Sequence, residues 1–265
     1  EQIDALGAAF AFWKLFTKAS VPFDQLMHLY HLKTQSAEAA QQFYVAIVNR
    51  AGRVPLALRE YAQFIENVMD VTCAVIDAAG GFAYFGNSGS GTIANIPFVH
   101  KVRLSDYTVV GSAVVNFFTS RSAVIDVSSG YAYFGGLGQI VRLKLSDMTV
   151  TTLAVSGAGY LTAAAIDATN AYFGDDSSPA KITKIRLSDF TIVGTALALN
   201  TGENLAVSAV IDATFVYFGM DTAPAKVVRI RLSTFAREDA LTLNTGENFA
   251  RAAVIDTGSG FAYFM

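Results

Sequence analysis

Apolar positions in this chain recur with two different periods. Up to about residue 70 the spacing is helical: Ile3, Leu6, Phe10 and Trp13 form one stripe and Leu26, Leu29, Tyr30 and Leu32 a second. Phe43, Tyr44, Ile47 and Val48 form a third, and Leu58, Tyr61, Ile65 and Val68 a fourth. Ser20 with Pro22, Ser36 and Pro55 stand where helix starts need a cap or a proline, and Gly52 stands near a helix end. The pattern predicts a helical bundle or docking arm over residues 1–70. Over residues 71–265 the period falls to two, in short aromatic and β-branched runs bounded by Gly, Asp, Ser and Thr, which is the vocabulary of strands.

These runs repeat. CAVID at 73–77 returns as SAVID at 122–126, AAAID at 163–167, SAVID at 208–212 and AAVID at 252–256, so its aspartate recurs every 41 to 49 residues. An aromatic phrase follows each time: FAYFG at 82–86, YAYFG at 131–135, AYFG at 171–174, VYFG at 216–219 and FAYF at 261–264. A third phrase alternates basic and aliphatic residues, in HKVRLSD at 100–106, VRLKLSD at 141–147, TKIRLSD at 183–189 and VRIRLST at 228–234. A fourth is rich in Thr, Val, Ala and Leu, as in TIVGTALAL at 191–199 and EDALTL at 238–243. Four strand phrases in a unit of about 45 residues, written four times and begun a fifth, specify a mainly β fold, a β-propeller of four-stranded blades. The fifth unit carries only two phrases, so the expected ring is incomplete within residues 71–265, to be closed by further chain or by another subunit.

The phrases AVID, AYFG, KIRLSD and LxLNxGE resemble the repeats of bacterial extracellular β-propellers, the broad group that includes YVTN-type and WD-like blades, over residues 73–265. The resemblance implies a propeller used for binding or assembly, often on a cell or particle surface. It carries over no catalytic residue, because this is a family of shapes more than of activities. Residues 1–70 resemble no family recognisable from their sequence.

Strand order divides the candidate residues between two faces. Connections from second to third strand and from blade to blade emerge on one face, where the repeat varies most in length. Asp175, Asp176, Asp221, Glu203 and Glu247 fall in those loops and are the candidates for partner binding, read as exposed charges of little worth to folding. Asp77, Asp126, Asp167, Asp212 and Asp256 fall on the other face. Their regular recurrence points to a structural role, closing the turn between first and second strands by accepting backbone N–H bonds. Asp106, Asp147 and Asp189 do the same for the turn between third and fourth strands. The basic residues of the third strands are expected to pair with turn carboxylates or to lie along the blade interface.

Composition narrows the function classes. A net charge of −3 without a basic stripe gives no case for a nucleic-acid partner. The single Cys73 excludes an intramolecular disulfide and a CxxC pair. The run Ala5–Trp13 is too short to span a bilayer, which takes about 20 residues, and no transmembrane segment is expected. The chain begins at Glu1, as it would after removal of a leader or inside a longer polypeptide. His28 and His31 lack acidic or Cys companions at ligand spacing, the loop carboxylates do not match a dedicated Ca2+ loop, and GNSGSG at 86–91 is neither a P-loop nor a dinucleotide fingerprint. No metal or cofactor is therefore expected. The reading is a non-enzymatic structural or interaction protein displaying its propeller on a larger assembly of protein subunits, such as a virion, a surface layer or an envelope structure, and hence extracellular. Two alternatives stay open: an enzyme, lyase or glycan hydrolase, with its site at the central channel, and a lectin-like ligand-binding propeller with one pocket per blade.

Overall fold

The computed structural model describes residues 71–87, 98–106, 108–115 and 119–265, within a compact unit Ala62–Met265. The helices expected over 1–70, with His28 and His31, lie outside these residues. The described part is β-structure throughout, in antiparallel sheets that follow the repeat. The first sheet holds β1 (Val71–Asp77), β2 (Phe82–Asn87), β3 (Phe98–Arg103) and β4 (Thr108–Val114). The second holds β5 (Ser122–Asp126), β6 (Tyr131–Gly135), β7 (Gln139–Lys144) and β8 (Val150–Ala154). In the third, β9 (Leu161–Ile166), β10 (Asn170–Asp175) and β11 (Lys181–Arg186) are followed by two short strands, β12 (Thr191–Ile192) and β13 (Leu197–Ala198), that both pair with β11. The fourth holds β14 (Ala206–Ile211), β15 (Phe215–Met220), β16 (Lys226–Arg231) and β17 (Ala236–Thr242), and the fifth only β18 (Ala253–Asp256) and β19 (Phe261–Phe264).

One expectation is corrected. TIVGTALAL does not run as one strand: Gly194, at a φ of +70°, turns the backbone between β12 and β13. Asp106, Asp147 and Asp189 lie in the turns that follow the third strands, where each accepts bonds from the residues that follow it.

First strands neighbour one another from sheet to sheet, β1 by β5, β5 by β9, β9 by β14 and β14 by β18. The sheets therefore radiate from their first strands as propeller-like blades. Period-two alternation gives each blade one face bearing the Tyr of its AYFG phrase and an opposite face bearing the Phe. The Tyr face of one blade packs on the Phe face of the next. Tyr84, Val99 and Ala113 meet Phe134, Val141 and Leu143; Tyr133 and Ile140 meet Phe173 and Ile185; Tyr172 and Ile182 meet Phe218, Val228 and Ile230. The glycine ending the phrase lets the blades approach this closely. A β-carbon built on Gly174 would sit 2.6 Å from Ala206 Cβ and 3.0 Å from the Phe218 ring. At the ends of the series the same faces are open: Ile76 on the first blade is 56% exposed, and Val254, Phe261 and Tyr263 on the fifth are 63%, 61% and 56% exposed.

Candidate functional site

On the turn face the five aspartates close their hairpins. Asp77 Oδ1 accepts the Gly80 N–H at 2.7 Å, and Asp126 Oδ1 accepts the Ser129 N–H at 3.1 Å. Asp167 Oδ1 takes the N–H groups of Thr169 and Asn170, both at 2.7 Å, while its Oδ2 accepts the Tyr172 hydroxyl at 2.9 Å. Asp212 repeats this with Thr214, Phe215 and Tyr217, and Asp256 takes Gly258 and Ser259. Burial works against the Asp167 carboxylate, but these donors outweigh it and hold the group below its usual range.

The loop face differs from its sequence reading. Asp175 is 0% exposed and Glu203 3%, so neither is a solvated loop charge. Asp175 Oδ1 accepts the N–H groups of Ser177 and Lys181 at 3.2 and 2.7 Å, and Oδ2 accepts that of Gly159 at 3.3 Å. It ties the loop after β10 to the one leading into β9. Glu203 accepts the Asn200 N–H at 2.9 Å and a two-pronged bond from Arg237 of the fourth blade, Nε at 2.9 Å and Nη2 at 2.5 Å. Burial alone would raise the Glu203 carboxyl; Arg237 and the Asn200 amide hold it below the ordinary value. Asp176 accepts the Tyr160 N–H at 2.8 Å, Glu247 accepts the Asn244 N–H at 2.8 Å, and Asp221 pairs with Arg251 at 3.1 Å.

The arginines beside these groups are what the sequence reading missed. The Arg121 guanidinium lies 4.1 Å from the centre of the Tyr160 ring. Arg251, whose side chain is 66% exposed, lies 5.0 Å from the ring of Phe249, itself 43% exposed. Both arginines occupy the position just before the first-strand phrase, at the mouth of the first strands. A signal was present in the sequence, since Arg precedes SAVID at 122 and AAVID at 252, but the partner rings come from the loops before β9 and β18.

The described surface also has two shallow grooves, both on the turn face at successive blade junctions. One, of about 390 Å³, is lined by Asp167, Thr169, Asn170 and Tyr172 and, across the junction, by Asp212 and Ser233. The other, of about 180 Å³, is lined by Asp212 and Tyr217 and, across the junction, by Asp256 and Phe261. Among the described residues no three His, Cys, Asp or Glu side chains gather in a metal-binding group. Burial pushes the Cys73 thiol up to about 12, outweighing the opposing hydrogen bonds from Thr72 and the Gly86 backbone, so the nucleophilic thiolate is scarce at neutral pH. No helix among the described residues is long and apolar enough to cross a membrane.

Comparison with known proteins adds two findings. A family model described as TmcB, TPR repeats, matches residues 2–75, the segment that resembled nothing recognisable in its sequence. The clue lay in its four helical stripes, since a TPR unit is a helix pair of about 34 residues. Among 892 matching solved chains, a breadth that marks an architecture more than an activity, is hydrazine synthase of Kuenenia stuttgartiensis. The likeness has a TM-score of 0.58 at 11% sequence identity, over 66% of this chain and 49% of that one, so this chain spans about half the length of its structural neighbour. At this identity the likeness concerns the fold. No curated protein matches the chain in sequence.

Proposed function

We propose that this protein is a non-enzymatic interaction or structural module, whose propeller-like blades are displayed on a larger assembly through the segment before them. The observation that carries this reading is the pair of arginine-on-aromatic contacts on the loop face, Arg121 on Tyr160 and Arg251 on Phe249. Arginine and aromatic side chains are enriched where protein interfaces concentrate their binding energy, and a guanidinium held over a ring keeps its remaining donors available to a partner. The match of residues 2–75 to TPR repeats supports a docking role for the head, because stacked helix pairs offer concave surfaces to other proteins. The likeness of the blade phrases to bacterial extracellular propellers supports placement on a cell surface, virion or envelope structure.

Asp176, Asp221 and Glu247 stay in this proposed surface: Asp221 pairs with Arg251, Asp176 holds the backbone of Tyr160 whose ring lies under Arg121, and Glu247 caps its own loop at Asn244. Asp175 and Glu203 are left out of it, because their oxygens are buried in bonds to their own chain.

Crosslinking of the native protein in its source, followed by recovery of attached subunits, tests the reading. Substitution of both Arg121 and Arg251 by Ala should lose the attached subunits while leaving the melting temperature within a few degrees. Unchanged crosslinks in that variant would remove the loop face from consideration.

A second reading, a lectin-like binder, rests on the two grooves of the turn face. They fall at equivalent places on successive junctions, each with a turn Asp and Tyr from one blade and the turn Asp of the next. Glycan-array binding that is lost on Asp212→Ala, the residue common to both grooves, would favour it over the first.

A further inference from the structure

Arg121 and Arg251 hold the same place in the repeat. Each stands immediately before a first-strand phrase, and each donates its backbone N–H to the residue that ends the aromatic phrase of its own blade, Gly135 or Met265. Their side chains end differently. The Arg251 guanidinium is taken by Asp221, two residues after Gly219 of the preceding blade: Nε donates to Oδ1 at 3.1 Å and Nη2 to Oδ2 at 3.2 Å. The corresponding stretch ahead of Arg121, residues 86–97, holds no Asp or Glu, and two residues after Gly86 stands Ser88. Arg121 is exposed, and among the described residues no carboxylate pairs with it.

The guanidinium of Arg121 lies instead 4.1 Å from the centre of the Tyr160 ring, between two backbones that are already fixed. The Arg121 N–H is tied to the Gly135 carbonyl at 2.8 Å. Tyr160 is tied twice to Asp176, its N–H donating to Oδ1 at 2.8 Å and its carbonyl accepting the Asp176 N–H at 3.0 Å. Tyr160 also bridges antiparallel to Leu137, whose side chain is 39% exposed. Lys181 holds the loop before Tyr160, its ammonium donating to the Gly157 carbonyl at 2.9 Å. A guanidinium, a half-buried ring and an exposed leucine thus sit together on ordered backbone, so a partner that engages them orders little of this chain. The acidic side chains after β10 are engaged elsewhere, Asp176 on Tyr160 and Asp175 on Ser177, Lys181 and Gly159.

We propose that Arg121, Tyr160 and Leu137 form a receptor for an acidic segment of a partner protein, with an Asp or Glu side chain on Arg121 and an adjoining aliphatic or aromatic residue on Leu137. The partner's carboxylate takes on Arg121 the two-pronged place that Asp221 takes on Arg251, because the planar fork of a guanidinium matches two carboxylate oxygens. The Tyr160 ring covers one side of the guanidinium, and the apolar neighbour on Leu137 keeps water from the pair. This inference rests on the loop-face reading above and gives that surface its chemistry.

Selection of a random-peptide phage library on the immobilised 265-residue protein tests the proposal. Enriched peptides should carry Asp or Glu beside an apolar residue, and a synthetic copy of one should bind saturably. Replacing its acidic residue by the corresponding amide should weaken binding about tenfold or more, the worth of hydrogen bonds between charged groups. Arg121→Gln in the protein should do the same without moving the melting temperature. Arg186→Gln, which removes an exposed arginine of the turn face paired with Asp189, should leave peptide binding unchanged. Arg121→Glu should turn the selection toward Lys and Arg. Enriched peptides without acidic residues, no enrichment, or binding that survives Arg121→Gln would overturn the proposal.

The loop-face reading is judged separately, by the crosslinks of the double substitution at Arg121 and Arg251. Crosslinks lost in that variant, together with selected peptides that lack acidic residues, would keep the surface and remove its carboxylate chemistry. Crosslinks retained, together with acidic peptides that depend on Arg121, would keep the receptor and remove it from the assembly.

Discussion

The Ser122 hydroxyl donates to the Leu161 carbonyl at 2.7 Å, reaching from the first strand of the second blade to the start of the third. Each of the other junctions has one such bond: Thr72 to the Ser120 carbonyl, Thr162 to that of Ala206 at 2.5 Å, and Ser208 to that of Ala250 at 2.6 Å. The donor alternates in position. In the first and third blades it is a Thr one residue before the AVID-type phrase, and in the second and fourth a Ser that opens the phrase. One hydroxyl per junction is thus a clasp between first strands, in a place where backbone ladders run within blades and not between them.

Ser122→Ala should cost about 1–2 kcal/mol, the net worth of a hydrogen bond plus part of the penalty for leaving the Leu161 carbonyl unpaired. Ser128→Ala serves as the control, since that hydroxyl bonds only to Asp126 in an exposed turn, at 2.6 Å. Denaturant midpoints of the two variants measure the difference. Equal shifts would mean that the clasp contributes nothing beyond an ordinary surface hydroxyl.

Gly174→Ala should destabilise by about 1–3 kcal/mol, the range for forcing extra carbon into a packed interior. The added methyl meets the Ala206 β-carbon and the Phe218 ring, neither of which is the free end of a flexible side chain. Gly130→Ala is a comparison of another kind: a β-carbon there meets nothing within 4 Å, but φ is +76°, so its cost is backbone strain alone. Repacking should show in Gly174→Ala as a changed near-ultraviolet signal from Phe218 and Tyr172. Gly130→Ala should leave that signal intact.

Glu203 and Asp221 looked alike as loop carboxylates and should behave differently. Glu203→Ala leaves Arg237 without its partner in a site where the two side chains are only 4% and 24% exposed, and should cost about 3 kcal/mol. Asp221→Ala breaks a pair whose arginine is 66% exposed, and should cost under about 1 kcal/mol. Thermal melts of both variants check the order. The Glu203 contribution is largest above the carboxyl's ordinary value of 4.5 and is lost as pH falls through its lower value in the folded chain.

The strand phrases were legible in the sequence because a period of two and a repeated turn Asp are local properties. CAVID and FAYFG became β1 and β2, and the AYFG aromatics became alternate Tyr and Phe faces, with no long-range information needed. What the sequence did not disclose depends on contacts between blades. Glu203 sits in an Asn-Thr-Gly-Glu loop that reads as solvent-exposed, and it is buried because Arg237, 34 residues on, reaches it from another blade. Phe190 and Phe235 follow the turn as unremarkable apolar residues until Arg142 and Lys184 of the preceding blades are placed beneath them. The pairing of Arg121 with Tyr160 likewise exists only once two blades stand side by side.

His100 supplies a pH dependence. It is 3% exposed, its Nδ1 lies 2.8 Å from the Ser112 hydroxyl, and its Nε2 has no partner among the described residues. Burial lowers its pKa from the ordinary 6.5, because the imidazolium would lose its hydration without gaining a carboxylate. The unfolded chain takes up a proton near 6.5 while the folded chain resists it. Stability is therefore full above that value and falls as pH drops from 6.5 toward the lowered value, by at most about 1.4 kcal/mol per pH unit. The equivalent position in the third blade holds Thr183, opposite Phe173 as His100 is opposite Phe85, so His100→Thr places at this site a residue the repeat already accommodates. Unfolding midpoints for wild type and His100→Thr between pH 7.5 and 5 should converge at the upper end and separate below 6.5, with the wild type losing stability faster. Parallel curves across that range would show that His100 titrates alike in both states and would remove it as the source of any acid sensitivity.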